Sequence, residues 1–165
     1  MSQKTSSILD ELEHGDPQAL LKKIRQVLNG ETTLRQEMGL SDAELEALYG
    51  VAYSIYQTGR YRDALRVFSL LASMNPYDFR LIFGVASCFQ MIEEYMMAAI
   101  FYQLAGSLDP KNPSPMLHTA ECLTSLKDSS GARVALEETV KRADSNVLYE
   151  PVRQRAEIML ANMHG

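Results

Sequence analysis

Tryptophan is absent from the 165 residues, and cysteine occurs only twice. Two cysteines cannot staple a chain of this length, so a disulfide-built extracellular scaffold is excluded and a reducing compartment is predicted. Nine glycines and six prolines are few. That scarcity fits helices joined by short turns better than a strand-rich fold. No apolar run approaches the ~18 residues of a membrane span, so membrane insertion is not expected. The opening Met1-Ser2-Gln3-Lys4-Thr5-Ser6-Ser7 leads into no long apolar region, reads as no secretory signal, and predicts a cytoplasmic location. An excess of basic charge is missing too. Sixteen Lys and Arg against 21 Asp and Glu leave a formal net charge of −5, so nucleic acid and acidic membranes are not predicted partners. What remains is 46% hydrophobic and 22% charged, a globular balance that excludes a wholly disordered chain.

Catalytic signatures are lacking as well. The chain has no phosphate loop, no G-x-G-x-x-G, no H-E-x-x-H and no G-x-S-x-G. Its histidines are His14, His118 and His164. His118 and Cys122 stand four apart, a spacing that could supply two metal ligands, but further ligands for a closed zinc site are not at hand. They read as a helix-face histidine and a buried thiol. Cys88 and Cys122 fall at equivalent places on stacked helices, whose axes lie ~8–10 Å apart, so core thiols are expected rather than a bridge. Neither a catalytic residue, a metal site nor a cofactor is predicted, and the chain is not read as an enzyme.

The positive signal is a repeat. Ala52, Ala86 and Ala120 are 34 residues apart, and so are Ala64, Ala98 and Ala132. Pro76 and Pro110 keep the same step, as do Cys88 and Cys122, and the large residues Phe68, Tyr102 and Leu136. This is the period of the tetratricopeptide repeat, a helix-turn-helix unit. It predicts an all-α tetratricopeptide superhelix with three repeats at 45–78, 79–112 and 113–146. Alanine at two fixed places lets the helices of a hairpin approach closely, and a larger side chain there costs ~1–3 kcal/mol. Ser41 with Glu44 reads as a capping box. Gly59 can take positive φ and stop the first helix, and Ser114-Pro115 reads as a cap followed by a first-turn proline. Lys127 stands where the first repeat has Gly59.

Both flanks are predicted to be helical. Residues 1–40 read as an N-terminal arm and linker, with a helix from Asp16 to Gly30, a short turn over Ser7 to Glu13, and a linker over 30–41. Residues 147–165 read as a C-terminal capping helix, with Val152, Ala156, Met159, Leu160 and Met163 on one side and Pro151 in its first turn.

In such arrays the first helix of each repeat lines the concave surface. Those positions hold Tyr49, Tyr53 and Tyr56 in the first repeat. They hold Phe83, Ser87, Gln90 and Met91 in the second, and Leu117 and Glu121 in the third. Tyrosine offers contact area at low entropy cost and a hydroxyl for a peptide backbone. These residues are the predicted peptide-binding set. Arg80 alone is basic in this lining, so an acidic chain terminus finds little to pair with, and an apolar extended segment suits the groove.

The stretch LYGVAYSIYQTGRYRDALRVF at 48–68 resembles the first repeat of the class II chaperones of bacterial type III secretion. GVASCFQ at 84–90 and HTAECL at 118–123 resemble the same family's second and third repeats. The resemblance implies a non-enzymatic bacterial cytoplasmic chaperone whose groove takes an extended segment of a hydrophobic translocator protein, with proline and leucine anchors. It also implies a homodimer through the N-terminal helices. In this chain the apolar stripe for that contact is Leu20, Leu21, Ile24, Val27 and Leu28. A tetratricopeptide scaffold or adaptor in another bacterial assembly is the alternative expectation.

Overall fold

Short polar caps start three helices of this chain, and left-handed turns stop the helices that open its hairpins. The computed structural model describes residues 18, 21–22, 25–26, 29, 34–37, 39–144 and 146–163. Among the described residues the regular elements are all helical. They are α1 (Leu34–Glu37), α2 (Asp42–Gln57), α3 (Tyr61–Met74), α4 (Phe79–Met91), α5 (Tyr95–Leu108), α6 (Ser114–Ser125) and α7 (Ser129–Ala143). A 3-10 turn (Val147–Tyr149) and α8 (Glu150–Asn162) follow. The chain divides into two compact units, residues 1–46 and 47–165.

In the first unit, the stretch read as a linker contains α1. Arg35 secures its end, donating from Nε to the Leu40 carbonyl at 3.1 Å and pairing with Asp42. The predicted capping box is present. Ser41 N donates to the Glu44 carboxylate at 2.9 Å, and Glu44 N donates to Ser41 Oγ at 3.3 Å. Of the helix predicted over 16–30, residues 18, 21, 22, 25 and 26 are described and helical. Leu21 is exposed. Leu20, Ile24, Val27 and Leu28 lie outside the described residues, as does the turn predicted at Ser7 to Glu13.

In the second unit the helices form three hairpins, α2–α3, α4–α5 and α6–α7. Each hairpin turns on a left-handed residue, at Gly59 (φ 78°), Glu93 (φ 65°) and Lys127 (φ 62°). Only the first is glycine; the repeat imposes the same backbone on two side chains that disfavour it. The chain closes behind the second and third turns with Glu94 N donating to Phe89 O and Asp128 N to Leu123 O, both at 2.9 Å. Asp78 caps α4 by accepting from Arg80 N, and Asp128 caps α7 by accepting from Gly131 N. At α6 the sequence reading needs correction. Ser114 is the first residue of the helix, and its N–H is taken by Asn112 Oδ1 at 3.0 Å. The short acceptor two residues upstream does the work assigned to serine.

The two alanine rows, Ala52, Ala86 and Ala120 with Ala64, Ala98 and Ala132, are all at 0% exposure. Phe68, Tyr102 and Leu136 are buried as well; Phe68 and Tyr102 face the helix that opens the next hairpin, and Leu136 meets Ala156 of α8. A Cβ on Gly84 would lie 2.8 Å from the Phe68 ring, so glycine admits that ring. One repeat later His118 replaces the glycine and stacks on Tyr102 at 5.0 Å. Leu136 packs in a cluster with Leu117, Ala120, Ala135 and Ala156, sealed by Val152, Met159, Leu160 and Met163 from the C-terminal helix. Fully burying one such aliphatic side chain contributes roughly 1.5–3 kcal/mol. The capping helix begins at Glu150, later than expected, with Pro151 in its first turn, while Val147 and Leu148 sit exposed in the preceding 3-10 turn.

Candidate functional site

Residues four and three apart on a helix share a face, so Tyr49, Tyr53 and Tyr56 make one stripe along α2. Tyr49 and Tyr53 stack with centroids 6.5 Å apart, and Tyr49 meets Phe68 edge-on at 5.9 Å. Arg80 reaches across from α4 and lies 4.8 Å over the Tyr49 ring, its guanidinium anchored on Asp78 at 2.9 Å. Tyr56 meets Tyr61 at 5.2 Å. Tyr53 is 50% exposed, whereas Tyr49 and Tyr56 are half-buried. Burial, reinforced by the neighbouring Cys88, Tyr61 and Tyr53, pushes the Tyr56 phenol up, so it keeps its proton and can donate to a peptide carbonyl.

On α4, Phe83 is half-buried and touches Phe79 at 5.5 Å, Tyr102 at 5.1 Å and His118 at 5.6 Å. Tyr102 rises from α5 beneath this face. Its hydroxyl donates to Gln90 Oε1 at 2.7 Å and lies 3.1 Å from Ser87 Oγ. Gln90 in turn donates from Nε2 to Glu121 Oε2 on α6 at 3.3 Å. Met91 ends the row and is exposed.

On α6 the prediction divides. Leu117 is 4% exposed and belongs to the core that the C-terminal helix seals, so it does not line an open surface. The periodic pattern carried no warning of this, because the helix that covers Leu117 lies outside the 34-residue register. Glu121 is on the shared face. Its Oε2 accepts from His118 Nδ1 at 2.9 Å, and its Oε1 lies 2.6 Å from Arg155 Nη2 of α8. Burial raises the Glu121 carboxyl, but the hydrogen bond and charge of His118, the charge of Arg155 and the Gln90 hydrogen bond outweigh it and hold the group below the usual carboxylate range. His118 thus serves Glu121, while Cys122 is buried in the core. Burial pushes the Cys88 and Cys122 thiols up to about 12, which leaves them protonated and unreactive.

The helices that open each hairpin therefore present two connected fields. Across α2 and α4 the face is aromatic. Across α4, α6 and α8 it is a polar row of Gln90, Glu121 and Arg155. Sequence reasoning missed Tyr102 and Arg155 as parts of this face, and it read His118 only as a helix-face histidine, without its bond to Glu121. His118 had a signal, since it takes the place held by Gly84 one repeat earlier.

A family model for the tetratricopeptide repeat matches residues 45–78. The chain is similar to low calcium response locus protein H of Yersinia pestis, 34% identical over 108 residues that make up 66% of this chain and 64% of that protein. It thus matches slightly less than two thirds of that relative's length. Its structure is similar to the translocator chaperone SycD of Yersinia enterocolitica bound to a peptide of the translocator YopD. The TM-score is 0.73 and the identity 30%, over 75% of this chain and 95% of that one. SycD has also been solved in an alternative dimer. PcrH of Pseudomonas aeruginosa, in complex with the chaperone binding region of PopD, is similar at a TM-score of 0.74 and 31% identity, over 76% of this chain and 95% of that one.

Proposed function

The chain belongs to the tetratricopeptide-repeat translocator chaperones of type III secretion, and from that premise we propose that it holds a hydrophobic translocator protein before export. The client contact is an extended apolar segment laid along α2 and α4. The observation that carries this reading is the aromatic field of Tyr49, Tyr53, Tyr56 and Phe83, presented beside an alanine row that already accounts for the helix packing. Ser87, Gln90, Met91 and Glu121 extend the contact toward α6.

Physical chemistry supplies the reason for such a protein. A translocator must later enter a membrane, so its apolar helices are exposed while it waits, and exposed apolar segments aggregate. Covering one short anchor costs less ordering entropy than folding the whole client. Release for export favours a few hot spots over a very large interface. The reading assigns no chemical step to the chain, a cytoplasmic location, and a homodimer formed through the N-terminal residues. Among the described residues no helix is long and apolar enough to cross a membrane.

Co-expression with a membrane-inserting translocator of the same secretion system tests the proposal. A soluble complex is expected where the translocator alone is insoluble. A translocator that stays insoluble, or a folded partner captured in its place, would make the chain a scaffold instead.

A further inference from the structure

Glu121 stands at the centre of the polar row, and its two carboxylate oxygens differ. Oε2 is satisfied twice, by His118 Nδ1 at 2.9 Å and Gln90 Nε2 at 3.3 Å. Oε1 is buried and receives no aligned hydrogen bond. Its neighbour is the Arg155 guanidinium, which lies 2.6 Å away yet contributes contact and charge without donor alignment. The Glu121 side chain is 15% exposed and that of Arg155 is 63% exposed. A mostly buried carboxylate is thus compensated by a cation that packing barely holds. Leaving a charged acceptor imperfectly bonded costs more than it would at the surface, so a better-placed donor is favoured. The half-buried ring of Phe83, 5.6 Å from the His118 ring that bonds the carboxylate, suits a cation as well, since a planar guanidinium can stack on an aromatic face while bonding a carboxylate.

We propose that Glu121 is the acceptor of a cation subsite, which takes an arginine or lysine side chain of the bound segment, and that Arg155 fills this place in the free protein. The inference rests on the peptide-binding reading above and adds a polar requirement to it. The segment is bipartite: apolar anchors lie on the α2–α4 aromatics, and one basic residue lies further along at α6. When the segment binds, its basic group aligns on Oε1 and Arg155 swings out to solvent. Arg155 is then a competitor of the client as well as a pin for α8.

The two roles predict opposite signs. The probe is a short synthetic peptide with leucine and proline anchors and a single arginine moved through successive positions. Each version is compared with its citrulline counterpart, which has nearly the same shape and no charge. Calorimetry is run on the parent, Arg155→Gln and Glu121→Gln, with thermal melts of all three. At one position the arginine peptide should bind Arg155→Gln several-fold tighter than it binds the parent. There the arginine-to-citrulline preference should reach about tenfold, the value of one charge-assisted hydrogen bond. Glu121→Gln should bring that preference to unity while the citrulline peptide still binds. A preference of unity at every position in Arg155→Gln, or a preference that survives Glu121→Gln, overturns the subsite and leaves the aromatic groove standing. If no version binds the parent, the groove reading falls and the subsite falls with it.

Discussion

Gly50 and Gly84 occupy the same place in consecutive repeats, and their surroundings assign them opposite costs. A Cβ at Gly50 meets nothing within 4 Å, whereas one at Gly84 would lie 2.8 Å from the Phe68 ring. Gly50→Ala should therefore stabilise the fold by about 0.5–1 kcal/mol through helix propensity. Gly84→Ala should destabilise it by about 1–3 kcal/mol through overpacking. Denaturant melts check both, and equal signs would contradict the ring contact. At Lys127, φ is 62°. Replacing it with glycine should stabilise by up to about 1 kcal/mol, because a left-handed backbone disfavours a Cβ. A loss of melting temperature would contradict the turn geometry. Glu121 sets a pH dependence. Its carboxyl is held below the usual range in the fold, so its ionised form stabilises above the unfolded value of about 4.3, and that contribution is lost as pH falls through the lower folded value. The stability gap between the parent and Glu121→Gln should thus be present at neutral pH and close in acid. A gap independent of pH would show that Glu121 acts by shape alone.

The hairpins are held by small residues at the helix contacts and large residues that reach the following helix, with side-chain caps at the starts of α2, α4 and α7. Ala86 is at 0% exposure and clusters with Ala98, Ala99, Tyr102 and Cys122. Ala86→Leu should cost about 1–3 kcal/mol, and Cys88→Ser distinctly less than Ala86→Leu. An unchanged melting temperature for Ala86→Leu would contradict the alanine contact. The helices of the repeats were legible because two alanine rows and one row of large residues repeat at a fixed step, and such periodicity reflects packing directly. Helix boundaries were less legible where a polar residue further upstream takes the first N–H of a helix, as Asn112 does at Ser114. Four-residue α1 has too few residues for a periodic signal. Of the candidate site, the aromatic stripe on α2 could be read from spacing. The place of Leu117 could not, because it depends on a helix contributed from beyond the repeats. Arg155 and Glu121 meet only through the tertiary fold.

At the scale of the molecule, the helices opening each hairpin stand side by side and hold their aromatics where an extended segment can lie across them. Tyr53 is the cleanest probe of that surface, because it is half exposed and its ring contact is with Tyr49. Phe83 also touches Tyr102 and His118, so its removal affects stability as well as binding. The direct test is calorimetry of an apolar extended segment from a translocator's N-terminal region. It is titrated into the parent, Tyr53→Ala, and the double variant Tyr53→Ala with Phe83→Ala, alongside thermal melts and a salt series. Tyr53→Ala should melt with the parent. The double variant should remain helical and lose about 2 kcal/mol or more of binding, roughly 30-fold in affinity. Salt should change that affinity little at the aromatic field, where the contact is apolar. A folded double variant that binds the segment as tightly as the parent would contradict the account.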